Sequence, residues 1–385
     1  MLNLLLFLIL FFAVAFVFDL YCSYRLNAIV PCSKRVLPLD LQSVLFISII
    51  VLVPTFLIAF RSESTGVDTV RYIAALNRPE EIILYKMHES GEYLYWGLCH
   101  FFQNHGTIRG LFFVLAFIPL FFVFAGIYKL SCISNPIISS SVFLLIFYQE
   151  CFNITRQMPA IALVFFSITF CFSRKIIPYL ICVYLASLFH STALVALPIY
   201  FLYPRKVMGF GEIMKKIILS AFIVVGVVIF LKNVITLDFF QHYEVYSKTM
   251  FQVSLGQALL SFMSSHAPII LVMIYFSVTC KSDGDLERKD MSFLWSVVVF
   301  FCLFNVLRCT QNWLFRVGYY YQLGEILLIG KLCSKKVQQG KRLIENYFFA
   351  ETDILVVLVI LFSYFIYNIS YYDVSPFVNF SLADW

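Results

Sequence analysis

The chain has 385 residues, of which 61% are apolar and 18% aromatic, while only 13% carry a charge. A soluble domain uses about 25% charged residues to clothe its surface. That polar skin is missing here, so lipid must solvate most of the molecule and soluble folds are excluded. The net charge of +6 is small, and no basic block interleaved with aromatics supports nucleic-acid binding. The 11 cysteines form no C-x-x-C pair and mostly lie in apolar runs, so they read as small buried hydrophobes.

A helix needs about 20 apolar residues to cross a bilayer. Runs of that kind occupy 2–20, 41–60, 109–130, 137–149, 157–173, 217–235, 256–280, 291–307, 316–334 and 352–371. They predict an all-α polytopic membrane protein with about 10 transmembrane helices, forming one integral membrane domain over 1–385. The first run has no Lys or Arg ahead of it, which predicts a retained span instead of a cleaved signal peptide. Arg25, Lys34 and Arg35 follow the first run, and Lys331, Lys335, Lys336, Lys341 and Arg342 surround the end of 316–334. By the positive-inside rule both segments face the cytoplasm. Both termini then lie outside, together with loops at 61–108, where short amphipathic helices are expected, and at 236–255.

The run 176–203 is flanked on both sides by basic clusters, Arg174 with Lys175 and Arg205 with Lys206. One continuous helix there would measure about 42 Å against a ~30 Å hydrocarbon core. Two short arms turning near His190 and Ser191 return both clusters to the cytoplasm. This predicts a helical hairpin whose tip carries a histidine into a polar cavity; a single tilted span is the alternative. No internal repeat is evident, which weakens an inverted-repeat transporter.

Ionisable groups near a bilayer are costly unless they face a bundle interior or water, so they mark candidate chemistry. On the outer side stand Arg61 with Gly66, Asp68, Arg71 and Tyr72, then Glu89 with Glu92 and Tyr93. Glu150, Asn153, Arg156 and Gln157 follow, then His190, and finally Arg308 with Arg316. On a helix, Asn153, Arg156 and Ala160 share a face, and so do Arg308, Asn312 and Arg316, with Tyr319 and Tyr320 next along. Stacked guanidinium groups suit a diphosphate, since each offers a planar two-pronged contact. The bland alternative is that these arginines anchor helix ends at the interface. No H-E-x-x-H and no glycine-rich phosphate loop occurs, and Asp283-Gly284-Asp285 reads as a solvated turn. No metal or cofactor is expected.

Four elements resemble those of the EpsG-like, Wzy-type polysaccharide polymerases. They are Arg61-x4-Gly66-x-Asp68-x3-Tyr72, then Asn153-x2-Arg156-Gln157-x2-Ala160, then Ala186-x3-His190-Ser191-Thr192-Ala193, and late in the chain Arg316-x2-Tyr319-Tyr320. Their order and separation match across most of the chain, although the loop around Glu89, Glu92 and Tyr93 departs from the family's Glu-Pro-Gly-aromatic pattern. The resemblance implies a GT-C-like glycosyltransferase of the bacterial inner membrane. Such an enzyme joins undecaprenyl-diphosphate-linked O-antigen or related repeat units on the periplasmic face, usually alongside a chain-length regulator protein. His190 in this hairpin is the expected catalytic residue, as general base for the acceptor hydroxyl or as a group that orients the diphosphate. Arg61, Asp68, Tyr72, Asn153, Arg156, Gln157, Arg316, Tyr319 and Tyr320 of these elements, with Arg308 and Glu92 from the pattern of outer-side charges, are expected to bind substrate. Rival readings are a lipid-linked oligosaccharide flippase, which needs charge along the depth of a cavity, an O-antigen ligase, which shares the donor, and a membrane acyltransferase fed from the cytoplasm.

Overall fold

The computed structural model describes residues 2–29, 36–66, 68–206, 215, 222, 254–266, 269–270, 273–274, 284–307, 314–339, 359–363 and 365. Among these residues the chain is helical and contains no strand. It divides into two compact units, Met1–Leu197 with Ile329–Trp385, and Pro198–Leu328.

In the first unit, α1 (Leu2–Ile29) and α7 (Ile108–Lys129) are predominantly apolar and long enough to cross a bilayer. The pair α2 (Leu41–Ile50) and α3 (Leu52–Ala59) meets the same test when taken together, with a 44° bend at the break between them. Pro54 explains the bend. It has no N–H for the carbonyl of Ile50 four residues back, and its ring crowds that carbonyl. The side chain of Asp40 caps α2 by accepting from the Ser43 N–H at 3.0 Å, and it also pairs with Arg25. Arg25 in turn donates to Gln42 at 2.7 Å, which ties the end of α1 to the start of α2.

The remaining apolar helices of this unit follow the predicted runs closely and are shorter than a full span. The run 137–149 is α8 (Pro136–Val142) followed by a π-helical turn, Phe143–Phe147. The run 157–173 becomes α10 (Met158–Phe172), whose 15 residues measure about 22 Å. Among the described residues two helices, or three with the bent pair, meet the length and apolarity of a span, and the expectation of about ten rests in part on runs outside the described residues. The shortening has a physical cause: the polar residues from Gln149 to Gln157 take the backbone out of regular helix, with only α9 (Glu150–Asn153) between the apolar segments. The run 316–334 is likewise broken, into Leu314–Gln322 and Gly324–Gln339. The runs 217–235 and 352–371 and the loop 236–255 fall largely outside the described residues, and the run 256–280 falls outside them in part.

Helix α10 is apolar around its whole circumference and buried almost throughout, packed against α7 and against α11 (Ile176–Phe189). A tight turn joins α10 to α11, with Arg174 in the left-handed region at φ 55°. The run 176–203 is not one continuous helix. His190 is extended, a 3-10 segment at Ser191–Ala196 follows, and the Tyr179 hydroxyl donates to the Ala196 carbonyl at 2.5 Å, so the chain turns back along α11. Between α3 and α7, three short helices occupy the predicted outer segment: α4 (Thr69–Leu76), α5 (Glu80–Ser90) and α6 (Tyr93–His105).

In the second unit α12 (Ile199–Leu202) packs on the helix Asp285–Leu307. There the Tyr203 hydroxyl donates to Asp290 at 2.7 Å, and Lys289 donates to the Arg205 carbonyl at 3.0 Å. Ser254 and Gln257 form a reciprocal capping box on the helix Leu255–Ser265.

Candidate functional site

The polar groups of the first unit gather where helix ends meet. Helix α3 stops at Phe60, and Arg61 turns its side chain inward, where it is 1% exposed. Its guanidinium donates to Thr69 Oγ1 at 3.0 Å, to the Ile58 carbonyl at 2.8 Å and to Thr155 Oγ1 at 3.2 Å, while lying 4.2 Å from the centre of the Phe112 ring. Five residues on, Gly66 adopts φ 89°, a conformation open to glycine at little cost. A Cβ there would stand 2.7 Å from the Phe152 carbonyl oxygen, so the position needs glycine for space as well. One turn into α4, the Tyr72 hydroxyl donates to the Asn153 carbonyl at 3.3 Å and accepts the Arg156 N–H at 3.4 Å. Arg61, Gly66 and Tyr72 thus form a clamp on residues 152–156. The first polar element of the sequence builds the backbone that presents the second.

The clamped turn hands over to α10 at Met158, with Pro159 in the first helical turn, where its missing N–H costs nothing. Arg156 therefore projects from a fixed, non-helical backbone. Its Nη1 lies 3.1 Å from Glu92 Oε2, and its guanidinium carbon lies 5.5 Å from the centre of the Tyr95 ring. Glu92 occupies the N-cap position of α6, just after the left-handed Gly91 that ends α5. The glutamate is 2% exposed. Its other oxygen, Oε1, lies 2.5 Å from His190 Nδ1 and accepts the Ser191 N–H at 3.2 Å. His190 itself sits at the C-cap of α11, where the chain begins its reversal.

Burial works against ionising Glu92, but Arg156 and the contacts from His190 and the Ser191 N–H outweigh it and hold the carboxyl below its usual range. The group is therefore a carboxylate that can only accept hydrogen bonds, and His190 Nδ1 must carry the proton between them. Exposure rises outward from this carboxylate, with side-chain values of 3% for Glu92, 14% for His190 and 33% for Arg156. The buried anion thus holds a cation and an imidazole that both retain access to solvent. Such a set can bind an anionic group at Arg156 and take up a proton on the second imidazole nitrogen.

The other residues singled out in the sequence lie elsewhere. Asp68 pairs with the exposed Arg71 at 3.0 Å, and Glu89 pairs with Lys86 at 2.6 Å. Gln157 is buried at the start of α10. Arg316, Tyr319 and Tyr320 lie on the helix Leu314–Gln322 of the second unit, with Tyr320 buried and the Tyr319 ring against Phe315. Arg308 falls outside the described residues, as does Asn312. Sequence reasoning did not find Thr69, Thr155 or Tyr95, nor that Glu92 joins Arg156 to His190. The one signal available was the Glu92-x2-Tyr95 spacing, which brings the two within a turn of each other once α6 forms. Among the described residues no group of three His, Cys, Asp or Glu side chains is placed to hold a metal ion.

A helical, apolar chain with its ionisable groups gathered at helix ends defines a multi-spanning membrane protein with a polar site. The model of the EpsG family matches residues 44–382, and the chain belongs to that family. Membership carries a membrane-embedded, polymerase-like function as its coarse assignment. No curated protein and no solved structure matches the chain.

Proposed function

We propose that this protein is a glycosyltransferase of the GT-C type that polymerises undecaprenyl-diphosphate-linked O-antigen repeat units on the periplasmic face of the bacterial inner membrane. One observation carries the reading: a buried carboxylate, Glu92, gathers a solvent-reaching arginine and a histidine at the meeting of helix ends. Arg156 holds the diphosphate of the donor lipid and stabilises the charge that builds on it as it leaves, and Arg308 and Arg316 are proposed as further substrate-binding residues. Asn153 and Gln157 flank Arg156 and offer amides to sugar hydroxyls, and Tyr319 and Tyr320 offer stacking faces for the rings. Arg61, Gly66 and Tyr72 hold the backbone on which this surface stands, and Asp68 is proposed as a further substrate contact.

The acceptor is a hydroxyl at the non-reducing end of a new lipid-linked unit. Its oxygen bonds to the anomeric carbon of the growing chain as the bond from that carbon to the diphosphate breaks. The hydroxyl proton passes to His190, and undecaprenyl diphosphate departs with the bonding electron pair. The products are a chain longer by one unit on the acceptor lipid and a free lipid diphosphate. A chain-length regulator is the expected protein partner.

Deletion of the gene tests the proposal. A surface polysaccharide reduced from a ladder to single repeat units on the lipid core supports a polymerase. Loss of every unit identifies a flippase or ligase and overturns it.

A further inference from the structure

We infer that Glu92 is a positioning residue that locks His190 in one tautomer, with the proton on Nδ1 and the lone pair on Nε2 directed to the acceptor hydroxyl; this rests on the polymerase reading above. Three features of the site lead there. The contact from Nδ1 to Oε1 is 2.5 Å, the Ser191 N–H bonds the same oxygen at 3.2 Å, and Arg156 engages the other oxygen at 3.1 Å. The carboxylate is therefore held from three directions and has no freedom to swing away from the imidazole. It lies on α6 at a point fixed by the Gly91 turn, while His190 lies at the end of α11, which packs on α6. The tautomer is thus a property of how two helices pack, and it exists before substrate arrives.

A neutral imidazole has one lone pair, and the wrong tautomer would turn a hydrogen toward the hydroxyl that must lose its own. When Nε2 takes the acceptor proton, the imidazolium that forms stands beside a carboxylate that stabilises it. The Glu92–His190 pair therefore acts at the moment of proton transfer, with no contact to sugar or diphosphate required of Glu92. The titratable groups of this cluster are Glu92, Tyr95 and Cys99 from α6, Tyr72 from α4, and Arg156, in addition to the imidazole.

The test uses purified full-length protein and the single-unit lipid-linked oligosaccharide that accumulates in the deletion strain. Glu92→Gln keeps the shape of the side chain, but its amide can also donate to Nδ1 and stabilise the wrong tautomer. The expected result is a fall in kcat of roughly 10²–10⁴-fold with KM close to the parent's. The acidic limb of the rate profile should move to lower pH, because the neighbouring anion that favours the imidazolium is gone. His190→Ala should fall as far, and the double variant no further, since the two act as one unit. If Glu92→Gln accumulates poorly, Glu92→Asp carries the same test, because it keeps the charge facing Arg156 and withdraws the oxygen from Nδ1. A lowered kcat at unchanged KM in that variant supports the inference, and a parental kcat overturns it. Glu92→Gln with parental kcat and pH profile beside an inactive His190→Ala overturns the inference while sparing the base role of His190. A raised KM at parental kcat also overturns it, by making Glu92 a substrate contact. Parental rates in both variants overturn the base reading itself.

Discussion

Arg61 donates to Thr155 Oγ1 at 3.2 Å across 94 residues of sequence, and this contact joins the end of α3 to the turn that carries Arg156. The guanidinium is buried, bonded to three partners and packed on Phe112, so its role is architectural. Arg61→Ala leaves a cavity and removes charge-assisted bonds, at a cost of about 3 kcal/mol or more. Detergent-solubilised protein should show a clear loss of melting temperature and of folded yield. Substrate KM in the fraction that folds should stay near the parent's. A variant with parental stability and a raised KM would show that Arg61 reaches substrate.

Gly66→Ala tests the same clamp from the backbone. The added methyl meets the Phe152 carbonyl at 2.7 Å and must hold φ at 89°. Strain of this kind costs about 1–3 kcal/mol, and the carbonyl in the way belongs to the segment that presents Arg156. Thermal stability should fall, and activity should fall further than stability alone explains. The companion Gly97→Ala lies in open space and should leave both nearly unchanged.

Glu92 gives a pH signature in stability. Its pKa is held below the ordinary 4.5, so it stabilises the folded state at all pH values above that figure. The contribution fades as pH falls through the lower folded-state pKa, where the carboxyl gains its proton. Unfolding measured in parallel for the parent and Glu92→Gln should show an advantage to the parent at about pH 5 that narrows in more acid solution. A gap that held constant in acid solution would place the stabilising charge on another group.

Replacing arginine by lysine separates a diphosphate site from interface anchors. Lysine keeps the charge and loses the planar fork. Arg156→Lys, Arg308→Lys and Arg316→Lys should each reduce polymer formation strongly. Arg78→Lys and Lys86→Arg, in the α4–α5 turn and on α5, should be almost silent. Equal tolerance at all five positions would return the arginines to the role of anchors.

The turn of chain at His190 bears on topology. Single cysteines at Arg174 and Arg205, in a background without reactive native thiols, should be labelled from the same side of the membrane. Labelling from opposite faces would make 176–203 a crossing and invert the topology after it.

The sequence by itself determined the solvent of this protein, because 13% charge cannot cover a chain of this size in water. It also marked Arg61, Gly66, Tyr72, Arg156 and His190, since polar residues within apolar runs stand out and their spacing is fixed by the chain. Helix length was less legible. Hydropathy registers an apolar run whether or not the backbone stays α-helical, so the π turn at Phe143–Phe147 left no trace in composition. Tertiary structure alone decided what each marked residue does. Arg61 and Arg156 have the same side chain, yet one is 1% exposed on buried partners and the other reaches solvent from a buried carboxylate. Glu92 and His190 are 98 residues apart, and local spacing carries no information at that range. Only the packing of α6 on α11 brings the carboxylate within 2.5 Å of the imidazole, and that distance turns two isolated polar residues into a site.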